Sequence, residues 1–252
     1  MKLLIIVSYK GTDYGGYQVQ NNAPTIQGEL TRAAEIIFGR TCDIVGCSRT
    51  DSGVHANGFC SAVSFRGTDV LETKISVDKI PLAFCTNLPE DISVREARWI
   101  DSSFHPRYDV KYKEYIYRIW NRPERNPFIP DMCYHYPKYI DDNALSDMQA
   151  AADKLCGTHD FIAYMSKGGN EADTVRNINY AIVERKGDFV EFKVAANGFL
   201  YNMVRILTGT LLAVAEKKIS PDDIDAITDS KDRRNAGITV PASGLFLNSV
   251  VY

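Results

Sequence analysis

The 252-residue sequence has few of the features that mark membrane, zinc-binding or exported proteins. No apolar stretch approaches the roughly 20 residues of a membrane span. The LLIIV segment after Lys2 is too short for the apolar core of a signal peptide. The six cysteines include no CxxC pair and the four histidines are scattered, which argues against a structural zinc site. We therefore expect reduced thiols, a cytoplasmic location, no metal and no membrane partner.

The sequence also lacks a strong positive charge. Its formal net charge of −3 argues against a protein that coats nucleic acid by bulk electrostatics. A local basic segment is nevertheless present between Arg107 and Arg125, where cations alternate with tyrosines and Trp120. This pattern fits a half-buried strand with a solvated charged face. Composition alone favours that structural interpretation, but the pattern also suits a surface on which RNA bases stack and phosphates bind cations.

Apolar periodicity predicts an α+β fold made of two successive β-α-β-β-α-β units, residues 1-103 and 104-252. Each unit resembles a ferredoxin-like (split βαβ, RRM-like) fold. We expect their sheets to join into one mixed, mainly antiparallel sheet with helices on one side and a central cleft. The predicted strands are 2–9, 42–47, 59–65, 92–100, 111–120, 178–184, 189–195 and 244–251. The predicted helices are 25–38, 74–84, 141–156, 200–216 and a short one after Ser220.

The segment CSRTDSGVHA, Cys47 to Ala56, carries more chemical groups than a simple turn requires. Asp51 lies between two hydroxyl residues, and Arg49 and His55 lie within four residues of it. Predicted strands on both sides make the segment a loop on a rigid scaffold, where functional residues concentrate. An isolated aspartate in a polar loop is often only a backbone cap. Its neighbours instead favour a catalytic role for Asp51.

RTDSGVHA closely resembles the catalytic segment of the TruA family of tRNA pseudouridine synthases. The resemblance extends in order through YKGTDYGGYQ, FHPRYDVKYKEYIYRIWN, NGFLYNMVRILTG and the terminal GLFL. Three residues depart from the usual family pattern: Ser48 replaces a common glycine, Tyr17 a common tryptophan, and Glu114 a common basic residue. Because these residues flank the site, the departures concern which uridine is modified more than whether one is.

The resemblance implies isomerisation of a uridine in tRNA, with Asp51 as the catalytic carboxylate and without a cofactor. Attack at C1′, attack at C6 and elimination through C2′ all remain open as the role of Asp51. Tyr115 is implied to stack on the detached uracil, Arg205 to pair with Asp51, and Leu245 to line the pocket. For each, a structural alternative stands beside the functional one: a core tyrosine, a snorkelling surface arginine and a core leucine.

The resemblance also implies residues that contact the RNA. Arg49 is expected either to bind a phosphate beside the target nucleotide or to replace the extruded base in the stack. His55 is expected to be a hydrogen-bonding loop residue or an RNA contact. The remaining candidates for substrate binding are Thr50, Lys10, Arg107, Lys111 and Lys113.

The implied partners are tRNA, at its anticodon stem-loop, and a second copy of the chain in a homodimer. Two alternatives remain. A catalytically silent RNA-binding module on the same sheet would have no reason to keep Asp51, Tyr115 and Arg205. A metal-assisted hydrolase using Asp51 and His55 would need further ligands in motif-like spacing, and the sequence shows none.

Overall fold

The computed structural model describes residues 1–169 and 173–252 and divides the chain into two compact units. The first comprises Met1–Lys111 and Leu247–Tyr252, and the second Tyr112–Phe246. The predicted boundary at 103/104 therefore lies before the one observed. The segment after residue 103 stays with the first unit because the chain terminus holds it there. Phe104 packs edge-to-face on Tyr252, and the Tyr252 hydroxyl donates to the Pro106 carbonyl over 2.9 Å.

Ten strands and five α-helices make up the described chain. The strands are β1 (Lys2–Tyr9), β2 (Cys42–Gly46), β3 (His55–Phe65), β4 (Ile92–Ile100), β5 (Tyr112–Trp120), β6 (Tyr134–His135), β7 (Gly157–Asp160), β8 (Val175–Lys186), β9 (Phe189–Ala196) and β10 (Leu245–Val251). The helices are α1 (Ile26–Phe38), α2 (Ile80–Asn87), α3 (Asp142–Asp153), α4 (Met203–Ala215) and α5 (Asp223–Ser230).

In the first unit, the strand order is β4-β1-β3-β10, and β2 pairs with β3. The pairs that β1 makes with β3 and β4, and that β2 makes with β3, are antiparallel. Helix α1 contacts both α2 and β2, so the two helices share one side of the strands. The Thr25 hydroxyl caps α1 by accepting from the Gly28 N–H, as the sequence predicts.

In the second unit, the strand order is β5-β9-β8-β7 with antiparallel pairing, while β6 runs parallel to β5. The hairpin predicted between β8 and β9 is present, with Gly187 at φ 60°. Helix α3 contacts α4 and β8. Helix α4 starts later than predicted because Asn202 adopts a left-handed conformation, with φ 60°. Helix α3 ends at Asp153, earlier than the predicted residue 156, and Gly157 begins β7, a strand that the sequence pattern did not predict.

The α+β class and the mainly antiparallel pairing are confirmed, and the parallel pair of β5 with β6 in the second unit makes the pairing mixed. The correspondence of each unit to a ferredoxin-like fold stays a prediction, as does the central cleft. No helix in the described ranges combines the length and apolar character that crossing a membrane would require.

Candidate functional site

The Asp51 loop connects β2 to β3 and turns tightly at its centre. The Val54 N–H donates to the Asp51 carbonyl over 3.2 Å, and Gly53 takes a left-handed conformation with φ 78°. Asp51 is half-buried and Arg49 is exposed, whereas Thr50 between them is buried. The Asp51 carboxylate and the Arg49 guanidinium are therefore accessible, while the buried Thr50 anchors the backbone between them.

Glycine-rich segment 11–17 packs against this loop and fixes its backbone. The Tyr17 N–H donates to the Thr50 carbonyl over 3.1 Å, and the Ser52 hydroxyl donates to the Tyr14 carbonyl over 3.1 Å. Gly16 makes the close approach possible, because a Cβ there would lie 2.6 Å from the Thr50 carbonyl oxygen. The Thr50 hydroxyl shares a 2.8 Å hydrogen bond with that of Tyr9. These contacts hold the backbone of the Asp51 loop in place.

His55 is fully buried and accepts a hydrogen bond from segment 11–17. The Gly11 N–H donates to its Nδ1 over 2.9 Å. Accepting this bond requires a lone pair on Nδ1, so the other nitrogen carries the proton in the neutral ring. The geometry fits the hydrogen-bonding alternative for His55, since a ring with no exposed surface offers nothing to RNA without a rearrangement. The sequence alone does not reveal that Gly11 is the hydrogen-bond partner of His55.

Tyr17, one of the departures from the family pattern, is an interior residue. Its ring stacks on Phe59 with centroids 4.2 Å apart, and its hydroxyl shares a 2.9 Å hydrogen bond with Ser61. Burial raises the pKa of the phenol, although the bond to Ser61 opposes the shift. Gly46 provides the space, because a Cβ there would lie 2.5 Å from the Tyr17 ring. Tyr17 therefore packs against β2 and β3, the two strands that flank the Asp51 loop.

In the second unit, Tyr115 and Tyr117 lie two residues apart on β5 but have different surroundings. Tyr115 retains 6% exposure and packs edge-to-face on Phe199, with centroids 5.0 Å apart. Tyr117 is fully buried and donates its hydroxyl to the Pro241 carbonyl over 2.7 Å. Burial raises the pKa of the Tyr117 phenol, and the positive charge of Arg205 opposes that shift. Tyr117 is thus a core residue.

Arg205 lies in the first turn of α4 and is half-buried. Its Nε donates to the Val240 carbonyl and its Nη1 to the Asn202 side-chain oxygen, each over 2.7 Å. A snorkelling arginine would place its guanidinium in water, so these two bonds favour an anchored functional side chain. A cation is also unfavourable at a helix N-terminus, where the helix dipole is positive. A negatively charged partner would therefore stabilise Arg205 at this position.

Leu245 is the first residue of β10 and is 6% exposed. It follows the 3₁₀ turn Ala242–Gly244, and Gly244 sits close against the Tyr117 ring. This burial is compatible with both the pocket-lining leucine and the core leucine of the sequence prediction.

The remaining cation candidates differ in accessibility. Arg107 and Lys111 are exposed, and Lys10 is half-buried. Lys113 is only 8% exposed, because it lies on the same face of β5 as Tyr115 and Tyr117. An open phosphate contact therefore suits Lys111 better than Lys113. Within residues 1–169 and 173–252, no cluster of three or more His, Cys, Asp or Glu side chains is placed to hold a metal ion.

Comparison with known proteins identifies close relatives along the whole chain. A family model described as tRNA pseudouridine synthase matches residues 151–252. The chain is 41% identical over 252 residues to tRNA pseudouridine synthase A of Thermoanaerobacter sp. (strain X514), covering 99% of both chains. It is 40% identical over 248 residues to the protein of the same name from Acetivibrio thermocellus, covering 98% of both. With that of Caldicellulosiruptor saccharolyticus it shares 39% identity over 250 residues, covering 99% of both.

Proposed function

Because the chain belongs to the tRNA pseudouridine synthase family, we propose that it isomerises uridine to pseudouridine in tRNA, with Asp51 as the catalytic carboxylate. The assignment to Asp51 rests on how its loop exposes the carboxylate and fixes its position. The carboxylate is half-exposed, while the Thr50 carbonyl before it and the Ser52 hydroxyl after it are bonded to segment 11–17. A reactive group needs this combination of access and fixed position.

The reaction rearranges the uridine without a net change in its atoms. The C1′–N1 bond breaks, the uracil rotates and C1′ bonds to C5. The proton on C5 leaves to solvent, and N1 gains one. An ionised Asp51 could attack C1′, attack C6 or promote elimination through C2′, and all three require a carboxylate close to the sugar and base. Since no electron or group is gained overall, this chemistry needs no cofactor.

We assign Arg205 the role of partner to the Asp51 carboxylate. Two of its nitrogens are committed to Val240 and Asn202, so the position of the guanidinium is set before any anion arrives. The first turn of α4 adds positive potential at the same place. A fixed cation lowers the pKa of a nearby carboxylate and keeps it ionised.

We assign Tyr115 and Leu245 to the uracil. Each keeps 6% of its surface exposed. Phe199 holds the Tyr115 ring by an edge contact, so the orientation of that ring is fixed. Stacking on a fixed ring would retain the base during rotation, and the hydroxyl could accept a proton from C2′ or C5. Leu245 would contribute an apolar side chain to the pocket that holds the uracil.

The proposed substrate is the anticodon stem-loop of a cytoplasmic tRNA, bound by a homodimer. Exposed Arg49, Arg107 and Lys111, with half-buried Lys10, supply local positive charge despite the net charge of −3. Two copies of such a surface on one dimer would provide enough phosphate contacts for a folded RNA. Thr50 and Lys113 are buried, so we assign them no direct phosphate contact.

The test is tritium release from unmodified tRNA labelled at C5 of uridine. Wild-type protein should release tritium without added cofactor, and Asp51→Asn should lower the rate at least about a hundredfold. Asp13→Asn is the matched control, because Asp13 is an exposed carboxylate on the adjoining segment 11–17 and should leave the rate unchanged. If no tRNA yields tritium, the isomerase assignment fails. Binding without release would favour the silent RNA-binding module.

A further inference from the structure

A polar pocket opens in the first unit beside the start of the Asp51 loop. Its cavity volume is about 190 Å³. We call it the Arg49 pocket; its lining includes Val45, Ser48, Arg49, His105, Arg107 and Tyr108. Pockets for drug-sized ligands typically exceed about 300 Å³, so this one suits a group no larger than a single base or phosphate.

Two arginines give the pocket its charge. Arg49 and Arg107 are both exposed, and within the described ranges neither guanidinium has a carboxylate at ion-pair distance. Because both residues line one pocket, an anion bound there would be attracted by two positive charges. Guanidinium groups are well suited to phosphate because they donate two parallel hydrogen bonds to it.

Next to these cations the pocket offers an aromatic surface. The Tyr108 ring is 75% exposed and stacks on the His105 ring, with centroids 4.2 Å apart and planes 26° apart. His105 thus covers one face of the tyrosine ring and leaves the other to solvent. Such a face, standing beside two cations, is typical of proteins that bind unpaired nucleotides.

Hydrogen bonds within the turn that carries Tyr108 hold its backbone. The backbone N–H groups of Arg107 and Tyr108 donate to His105 Nδ1 over 3.1 and 3.3 Å. The Asp109 side chain accepts from the His105 N–H over 2.8 Å, which closes the turn from the other side. A ring held in this way loses little conformational entropy when a base stacks on it.

We propose that the Arg49 pocket binds one unpaired nucleotide of the tRNA close to the target uridine. Its base would stack on Tyr108, and its phosphate would lie between Arg49 and Arg107. The inference rests on the proposed function, since Arg49 precedes the catalytic Asp51 by two residues. It also assigns Arg49 to phosphate binding, the first of the two roles expected for it.

The experiment measures the Kd for an unmodified tRNA transcript by filter binding, with the full-length protein carrying Asp51→Asn so that the RNA stays unmodified. Adding Tyr108→Ala should weaken binding about tenfold, whereas Tyr108→Phe should stay within about twofold of the parent. Val45→Phe, which fills the pocket without removing a charge or a ring, should also weaken binding. Tyr139→Ala is the matched control, because Tyr139 is a 64% exposed tyrosine outside the pocket.

Each outcome bears on one of the two proposals. An unchanged Kd for Tyr108→Ala, or equal losses for its alanine and phenylalanine variants, would overturn base stacking at this site. An unchanged Kd for Val45→Phe would show that nothing enters the pocket. Tritium release by wild-type protein tests the isomerase separately: release with an unchanged Tyr108→Ala Kd rejects only the pocket. Lost binding for Tyr108→Ala without wild-type release supports the pocket and rejects only the reaction.

Discussion

Asp51 and Arg205 are held in opposite ways. The Asp51 loop is fixed through the Thr50 carbonyl and the Ser52 hydroxyl, which bond to segment 11–17, and through the Thr50 hydroxyl, which bonds to Tyr9. Arg205 is fixed through its own side chain, which donates to residues 202 and 240. A position fixed by backbone bonds tolerates exchange of the charged group itself, whereas one fixed by side-chain bonds does not. Substitutions should therefore separate function from folding more cleanly at Asp51 than at Arg205.

Arg205→Ala should give the largest effect of the three variants that test this comparison. Loss of the guanidinium removes the fixed positive charge that we propose pairs with Asp51, and we expect the single-turnover rate of tritium release to fall about a hundredfold. The Kd for tRNA should change less than about threefold, because the proposed partner of Arg205 is a carboxylate and not a phosphate. The Val240 carbonyl also loses its donor, so the free energy of unfolding should fall by about 1 to 3 kcal/mol.

Arg205→Lys tests whether positive charge alone is enough. Lysine keeps the charge but lacks the planar guanidinium that donates to both the Val240 carbonyl and the Asn202 side chain. We expect it to recover part of the stability and little of the rate. A large loss of tRNA affinity with an unchanged single-turnover rate in Arg205→Ala would show that the residue binds RNA and does not assist Asp51.

Gly11→Ala should give the second largest effect, and it addresses the Asp51 loop. A Cβ at Gly11 would lie 2.0 Å from the Val54 carbonyl oxygen, and the Gly11 N–H is the donor to His55. We expect the free energy of unfolding in urea to fall by about 1 to 3 kcal/mol, with a roughly tenfold slower turnover as the loop shifts.

Gly198→Ala is the matched control for Gly11→Ala. Its new Cβ would come no closer than 3.2 Å to any atom, and the neighbour is the movable side chain of Arg176. It should leave stability within about 0.5 kcal/mol of wild type. Wild-type turnover in a correctly folded Gly11→Ala protein would mean that segment 11–17 does not position the loop.

The same contrast explains how much the sequence could predict. The Asp51 loop, the amphipathic helix α1 and most strands depend on local pattern, so their predictions needed no tertiary information. Burial of Lys113 depends on which face of β5 turns inward. The partner of His55 lies 44 residues away, and the partner of the Tyr117 hydroxyl lies 124 residues away. Such contacts arise only from folding, and they determine which of two chemically possible roles a residue has.

Tyr117→Phe should give the smallest effect, because it removes one part-buried hydrogen bond, to the Pro241 carbonyl over 2.7 Å. Pro241 is an exposed residue whose carbonyl can bond to water instead, so we expect only about 0.5 to 1.5 kcal/mol less stability in urea unfolding. Turnover should stay within about twofold of wild type, because Tyr117 is assigned to the core. Tyr115→Phe is the matched variant on the same face of β5, and its loss of the proposed proton acceptor should slow turnover with little change in stability. If Tyr117→Phe slows turnover and Tyr115→Phe does not, the two tyrosines have been assigned the wrong way round.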